Sequence, residues 1–330
     1  MKIVCVRKLS VCLAVLLLGM AGAWAEDAVD RVKLVPGDPI ADALKFVTDD
    51  FVRQADEANV VVDRHLIAAD VNNTTALTGD VRKFFSDLDS INDITNKIAA
   101  DRKQFRVDIA ITPPTGPLQK PGTGSSDLNA AVTQFQTDFN ARVTAEAAVD
   151  TDMANLNISV LAKDKAGVTT NGNAFFHDNF NFNQARIYEG ADVVNIKKVI
   201  KFHAQKPVFT KPAHGKDLST HAAQFIKDRA TYLSDELALT GARNSMFAVL
   251  PTSSLSSSVT TWLNARRQVF YDTTQLTLDR LAMRVDLHLG GRKALKNLLI
   301  KLGLKSGGGE DSGFKPSDAN DQTDDTNGEK

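Results

Sequence analysis

The chain has 330 residues, 43% of them hydrophobic, and its 39 Lys and Arg against 40 Asp and Glu give a formal charge of −1. That is enough for one or two domains at the usual ~100–200 residues each, and the near-balanced charge argues against nucleic acid, whose binders carry a basic excess to displace counterions. Both cysteines, Cys5 and Cys12, fall within the first 25 residues, so the rest of the chain has no disulfide, zinc thiolate or cysteine nucleophile and must rely on an apolar core.

In chain order, Lys2, Arg7 and Lys8 precede an apolar run from Val11 to Met20 and then Ala23-Trp24-Ala25. This is the pattern of a Sec-type signal peptide cleaved after Ala25, because the run is shorter than the ~20 residues of a spanning helix. Without those three cations the processed chain carries −4. The expected location is periplasmic or extracellular, with membrane contact at most peripheral.

Residues 26–39 read as a charged arm interrupted by Pro36-Gly37-Asp38-Pro39. Leu44, Val47, Phe51, Ala55, Ala58 and Val62 then recur at intervals of three and four, which predicts an amphipathic helix to about Ala69. Asn72-Asn73-Thr74-Thr75 reads as a turn, and Phe84, Leu88, Ile91 and Ile98 mark a second helix. Phe105, Val107, Ile109 and Ile111 alternate with Arg106, Asp108 and Ala110, the period of a strand. A Pro/Gly-rich linker follows at 112–126. Asp127 can cap a third helix that, if unbroken to Lys163, is roughly 55 Å long at 1.5 Å per residue and needs partner helices. Residues 26–165 are therefore expected to form an N-terminal helical bundle.

Residues 166–216 read as an irregular connector, with a Phe/Asn loop at 171–183 containing Phe175, Phe176, Phe180 and Phe182, and a Lys-rich stretch behind it. A C-terminal helical region at 217–305 begins with a helix from Asp217 to about Thr240. Pro251 ends what precedes it, and Thr252, Ser253 and Ser254 can cap the next helix. On that helix Leu255, Val259, Trp262, Leu263, Val269, Phe270 and Leu276 share one arc, and Arg266, Thr273 and Arg280 lie on it at seven-residue intervals. Such arginines either snorkel at the edge of a core or meet carboxylates of a partner. On the second reading Leu255, Val259, Trp262, Arg266, Phe270 and Arg280 form a candidate partner interface.

Leu281 to Leu289 also alternates, and 284–289 matches 106–111 in residue type, which predicts a small β-pairing of 105–111 with 281–289. The competing expectation is continued helix, since Leu, Ala, Met and Arg are good helix formers. Arg292 to Lys305 reads as a short basic amphipathic helix, either solvated or touching a membrane surface or an acidic partner. Residues 306–330 hold seven acids and two lysines among Gly, Ser and Asn, the composition of a disordered tail. The expected fold class is mainly α, a helical bundle with long amphipathic helices.

No enzyme constellation emerges. Gly215-Lys216 lacks the first glycine of a phosphate loop, and Ser312 to Lys315 lacks the partner motifs of penicillin-recognising enzymes. His177, His203, His214 and His221 have no spacing that puts two on one helix face, so no metal and no cofactor are expected. Acids such as Asp49-Asp50 or Asp235-Glu236 could serve a hydrolase only opposite another carboxylate.

Met246, Ala248, Ser253, Ser254, Leu255, Trp262, Leu263 and Arg266 form an arrangement of Met and Ala, a Ser-rich turn, then Leu, an aromatic and Arg. Over about Met246–Arg267 this resembles the C-terminal region of IcmX-type periplasmic components of type IVB secretion systems. The resemblance implies a secreted, non-enzymatic part of an export channel whose partners are other envelope or secretion-system proteins, and homo-oligomerisation is compatible with it. The second function expected from the residues is a periplasmic or extracellular binding module that holds a peptide or glycan in the 171–183 loop.

Overall fold

A computed structural model describes residues 37–110, 124–204, 207–212, 217–251 and 253–304. The expected leader with its cleavage at Ala25, most of the 112–126 linker and the tail at 306–330 lie outside these residues. The described fold is helical: α1 Pro39–Ala69, α2 Thr74–Asp108, α3 Leu128–Leu161, α4 Lys165–Val199, α5 Leu218–Ala248, α6 Leu255–Asp286 and α7 Arg292–Lys301. None of the helices is long and apolar enough to cross a membrane.

Five of the six long helices start on an Asx cap. The side chains of Asp38, Asn73, Asp127, Asp164 and Asp217 accept from the amides of Ile40, Ala76, Ala130, Gly167 and Thr220. Each such bond satisfies an amide that the helix leaves without an internal partner. Ser254 occupies the equivalent place before α6, but its side chain makes no capping bond. At the far ends Lys163, Lys201 and His288 take positive φ. After α3, the Lys163 amide donates to the Val160 carbonyl and the Asp164 amide to that of Ser159, closing the last turn.

The six long helices form three antiparallel hairpins, α1 with α2, α3 with α4 and α5 with α6. Three apolar clusters join them. The first packs Phe46 and Phe105, at the open base of the first hairpin, on Leu156, Val160, Phe175 and Phe176 at the turn of the second. The second packs Ile67, Leu77 and Phe84, at the turn of the first hairpin, on Ala222, Phe225, Met283 and Leu287 at the base of the third. The third packs Val132, Phe135 and Ile196, at the base of the second hairpin, on Met246, Leu255, Val259 and Trp262 at the turn of the third. Each turn thus sits on the base of another hairpin.

A straight bundle cannot satisfy this pattern. It has two ends for three turns, so two turns would share an end, whereas here the three turns lie in three separate clusters. The hairpins close into a three-cornered frame. Between Phe135 and Leu156 α3 buries no residue, and neither does α5 between Phe225 and Met246. Each gap is roughly 30 Å of helix at 1.5 Å per residue. These stretches are arms, packed on their hairpin partner rather than on a common core.

The corners are aromatic. Phe46 lies 5.4 Å from Phe175 and Phe105 5.8 Å from Phe176 at the first, Phe84 lies 5.6 Å from Phe225 at the second, and Phe135 lies 4.8 Å from Trp262 at the third. Rings bury the most area per residue, which suits joints made by few side chains. Arg284 of α6 adds a two-pronged contact to Asp89 of α2 at the second corner, at 2.8 and 3.1 Å.

Three expectations are corrected. The β-pairing does not form. Residues 105–108 finish α2 and 281–286 finish α6, with Phe105 and Ile109 buried one helical turn apart while Val107 is 68% exposed. The strong helix formers in both stretches outweigh an alternation that never had a buried face. The irregular connector at 166–216 is likewise mostly α4, a 35-residue helix. The Asp164 cap starts it, and burial of Phe175 and Phe176 at the first corner overrides the poor helix propensity of its Asn and Gly residues. Its asparagines bond to their surroundings, Asn173 to the Thr169 carbonyl and Asn171 to the Ser159 hydroxyl at 2.8 Å. Finally, the bundle expected over 26–165 splits between two hairpins, since α3 pairs with α4. Behind α4, residues 207–212 lie along α6, where Thr210 exchanges two bonds with Gln275 and Phe209 meets Tyr271 edge-on.

Candidate functional site

The six residues of the expected partner interface separate. Leu255, Val259 and Trp262 are buried in the third corner, at 2%, 0% and 2% exposure, so they join two hairpins of this chain and are not a surface for a partner. Arg266 and Phe270 are half-buried on the arm beyond. Arg280 is half-buried in the second corner, where its guanidinium donates to the Leu276 carbonyl and to Thr277, so it snorkels within its own helix. Burial and the nearby Arg229 hold Arg280 below the usual arginine value, and burial with the like charges of Arg229 and Arg280 pushes Arg64 of α1 down to about 10.

Among the described residues the histidines do not converge, and His214 lies outside them. His177 stands beside Asp178 on α4, while His221 donates to or accepts from Asp286 across the third hairpin at 2.6 Å. Among the described residues no group of three or more His, Cys, Asp or Glu is placed to hold a metal ion.

What the structure does bring together is aspartates. In the first hairpin Asp42 faces Asp108, Asp49 faces Asp101, Asp63 faces Asp87 and Asp70 faces Asp80, each pair in side-chain hydrogen-bond contact. In the second, Asp138 faces Asp192 and Asp152 faces Asp178. In the third, Asp228 faces Asp279 and Asp235 faces Asp272. Eight carboxyl pairs bridge the three hairpins.

Their spacing follows from helix geometry. Asp42, Asp49, Asp56 and Asp63 on α1 and Asp70 at its C-cap lie seven residues apart, close to two turns, so they form one row. The antiparallel partner meets it with Asp80, Asp87, Ile94, Asp101 and Asp108. The same register in the second hairpin sets Ala145 level with Ala185 between the two acid pairs, and Ser159 against Asn171 beyond them. In the third hairpin it sets His221 against Asp286. Each hairpin is thus a ladder whose rungs are mostly small polar or alanine pairs, with Ile94 opposite Asp56 and His221 opposite Asp286 as the larger ones.

Several rungs are sealed. Asp63, Asp101 and Asp279 are 0%, 3% and 3% exposed. The Oδ2 atoms of Asp42, Asp49, Asp63, Asp80, Asp101, Asp108, Asp152, Asp192, Asp272 and Asp279 are shut from water, and no N–H or hydroxyl of the protein donates to them. A proton on one carboxyl of each pair satisfies both partners, because a protonated acid donates where a carboxylate can only accept. Burial, aided by the facing carboxyl, raises Asp49 and Asp272 to about 6, Asp42 and Asp192 to about 7 and Asp279 to about 8. Asp63, Asp80 and Asp152 are raised for the same first cause.

This arrangement differs from that of a glycoside hydrolase. Glycoside hydrolases hold two carboxyls about 5–9.5 Å apart so that a sugar, or a sugar and water, fits between them. Asp49 and Asp235 do stand opposite other carboxyls, as a hydrolase reading requires, but in direct hydrogen-bond contact with Asp101 and Asp272 and inside a helix pair. The paired acids face each other and leave no gap for a sugar between them.

Sequence inspection overlooked these pairs because each aspartate, taken singly, reads as a solvent-facing residue. The available signal was the unbroken seven-residue recurrence on α1, which places acids along one row of the helix. The Phe/Asn stretch at 171–183 offers no loop, since it lies within α4 with Phe175 and Phe176 in the first corner. Comparison of the chain with protein-family models, with curated proteins and with solved structures gives no match in any of the three.

Proposed function

We propose that this chain is a non-enzymatic, exported scaffold of an envelope-spanning secretion or conjugation apparatus, acting through helix surfaces presented to neighbouring proteins. The observation that carries this reading is the frame itself. Its hydrophobic joints are confined to three corners, and among the described residues the stretch of α5 between Phe225 and Met246 buries no side chain. On α5, Leu233 and Leu237 stand one turn apart on the exposed side, at 50% and 70% exposure. The resemblance over Met246–Arg267 supplies the setting, and the mutual engagement of the buried carboxyls favours a structural role over glycoside hydrolysis.

The test is crosslinking in the producing cell, with a photoreactive residue at Leu237 or Phe270. Discrete adducts with envelope proteins are expected, and Leu233→Ser with Leu237→Ser, probed with the photoreactive residue at Phe270, should remove them while leaving the melting temperature within about 2 °C, as surface substitutions usually do. Adducts that persist in the double variant, or none at either position, would count against the scaffold.

A further inference from the structure

We propose that the frame is proton-gated: facing aspartates hold the helix pairs of its arms together by sharing protons, and loss of those protons toward alkaline pH loosens the arms while the aromatic corners hold. The inference stands on the ladder geometry, eight contacting acid pairs in register across three hairpins, with at least one Oδ2 atom of each pair sealed from water. It does not depend on which partner the scaffold serves.

Two like charges in hydrogen-bond contact and out of water cannot both persist at low cost, so each pair either keeps a proton, acquires a cation or separates. The cations at hand differ between hairpins. In the first, Lys45 bonds Asp101, Lys97 stands 3.9 Å from Asp49, and Lys83 bridges Asp63 at 2.9 Å and Asp87 at 2.7 Å. These ammonium groups partly hold that arm once its acids ionise. The second hairpin offers less. Asp192 feels the further negative charge of Glu189, which itself takes Arg142 at 2.6 Å, and Asp178 meets His177 and the Asn181 amide, each at 3.3 Å. In the third, Asp279 has Arg280 beside it on the same helix, and Asp272 faces Asp235 with Asp228 adding a further negative charge. Gln224, Gln268 and Gln275 donate to Asp228, Asp272 and Asp279, fixing the carboxyls without supplying a charge. Opening should therefore begin in the second and third arms.

The direction is opposite to ordinary acid unfolding. A carboxyl held above its unfolded value binds protons more tightly in the folded state, so its stabilising contribution is complete below about pH 4 and is lost as the pH rises through the folded values. For these pairs the window runs from about 6 at Asp49 and Asp272 to about 8 at Asp279.

The experiment uses the full chain with Trp24→Phe, which leaves Trp262, in the third corner, as its single tryptophan. Between pH 5 and pH 8.5 the melting temperature should fall, and amides along 136–155 and 226–245 should lose exchange protection beyond the intrinsic effect of pH. The Trp262 emission should stay native. Infrared spectra should show the carbonyl stretch of protonated carboxyl groups at pH 6 and its loss by pH 9. Asp192→Asn with Asp279→Asn, which supply a donor that needs no titration, should flatten the fall and raise the melting temperature at pH 8.5. A melting temperature that is level or rises over this range would overturn the inference, as would an unchanged slope in the asparagine variant. Should that variant fail to fold, the native chain still decides, because no protonated-carboxyl band at pH 6 overturns it equally. Recovery of arm protection at pH 8.5 on adding calcium chloride would make the pairs cation sites and also overturn it.

Discussion

Replacing Trp262 by alanine is expected to cost about 3–5 kcal/mol of folding stability, the usual range for removing a large buried aromatic. The indole is 2% exposed, lies 4.8 Å from the Phe135 ring and belongs to a cluster with Met246, Val259 and Leu263. In a packed bundle neighbouring side chains would partly fill such a cavity. Here the joint between the second and third hairpins depends on few contacts, with Phe135 also touching Phe247 at 5.7 Å and Phe139 packed beneath the Arg243 guanidinium at 4.2 Å. Loss of the indole should release one corner and leave two. Thermal unfolding would show a fall on the order of 10 °C, with exchange protection lost first near Phe135 and Met246. A melting temperature within about 2 °C of the parent would mean that this corner is not a joint.

The second large effect is expected at Gly172, where the α4 backbone approaches the first corner. A Cβ there would stand 2.6 Å from Phe105 Cζ and 2.7 Å from Ile109 Cδ1, closer than carbon atoms can pack. Alanine ordinarily improves a helix interior by about 1 kcal/mol over glycine. At this position overpacking, typically 1–3 kcal/mol, should outweigh that gain, because both neighbours are buried and held by Phe46 and Phe176. Gly172→Ala is therefore expected to destabilise. Gly241→Ala in α5, where a Cβ meets nothing within 4 Å, should stabilise by roughly 0.5–1 kcal/mol. Chemical denaturation of the two variants side by side tests this, and equal signs would contradict the packing described at the first corner.

Local features of the fold were legible where one chemistry dominated. Asp127 before α3, Asp217 before α5 and the turn at Asn72-Asn73 marked helix boundaries, because a short polar side chain at those points has a single favoured use. The helical identity of 165–199 was hidden, since Asn, Gly and Phe have weak local preference and the packing that decides their state comes from residues more than fifty positions away, such as Phe105. The same distance hid the role of Trp262. Its apolar arc is visible in the sequence, yet whether such an arc meets another chain or Phe135 of its own chain depends on how three hairpins close, and no periodicity within a single helix encodes that. The acid ladder was half visible: the spacing of Asp42, Asp49, Asp56, Asp63 and Asp70 is plain, but only the antiparallel register brings a second carboxyl against four of them.

The closure of three hairpins into a frame with separate corners is tested most directly by distances between the turns. Outside the first 25 residues the chain has no cysteine, so spin labels can be placed in pairs at Asn72→Cys, Ala162→Cys and Ser253→Cys, all exposed turn positions. The frame predicts that all three separations exceed about 30 Å, the length of an arm at 1.5 Å per residue. Any pair of turns found within about 20 Å, as two turns at one end of a bundle with helices packed 8–10 Å apart would be, would contradict it.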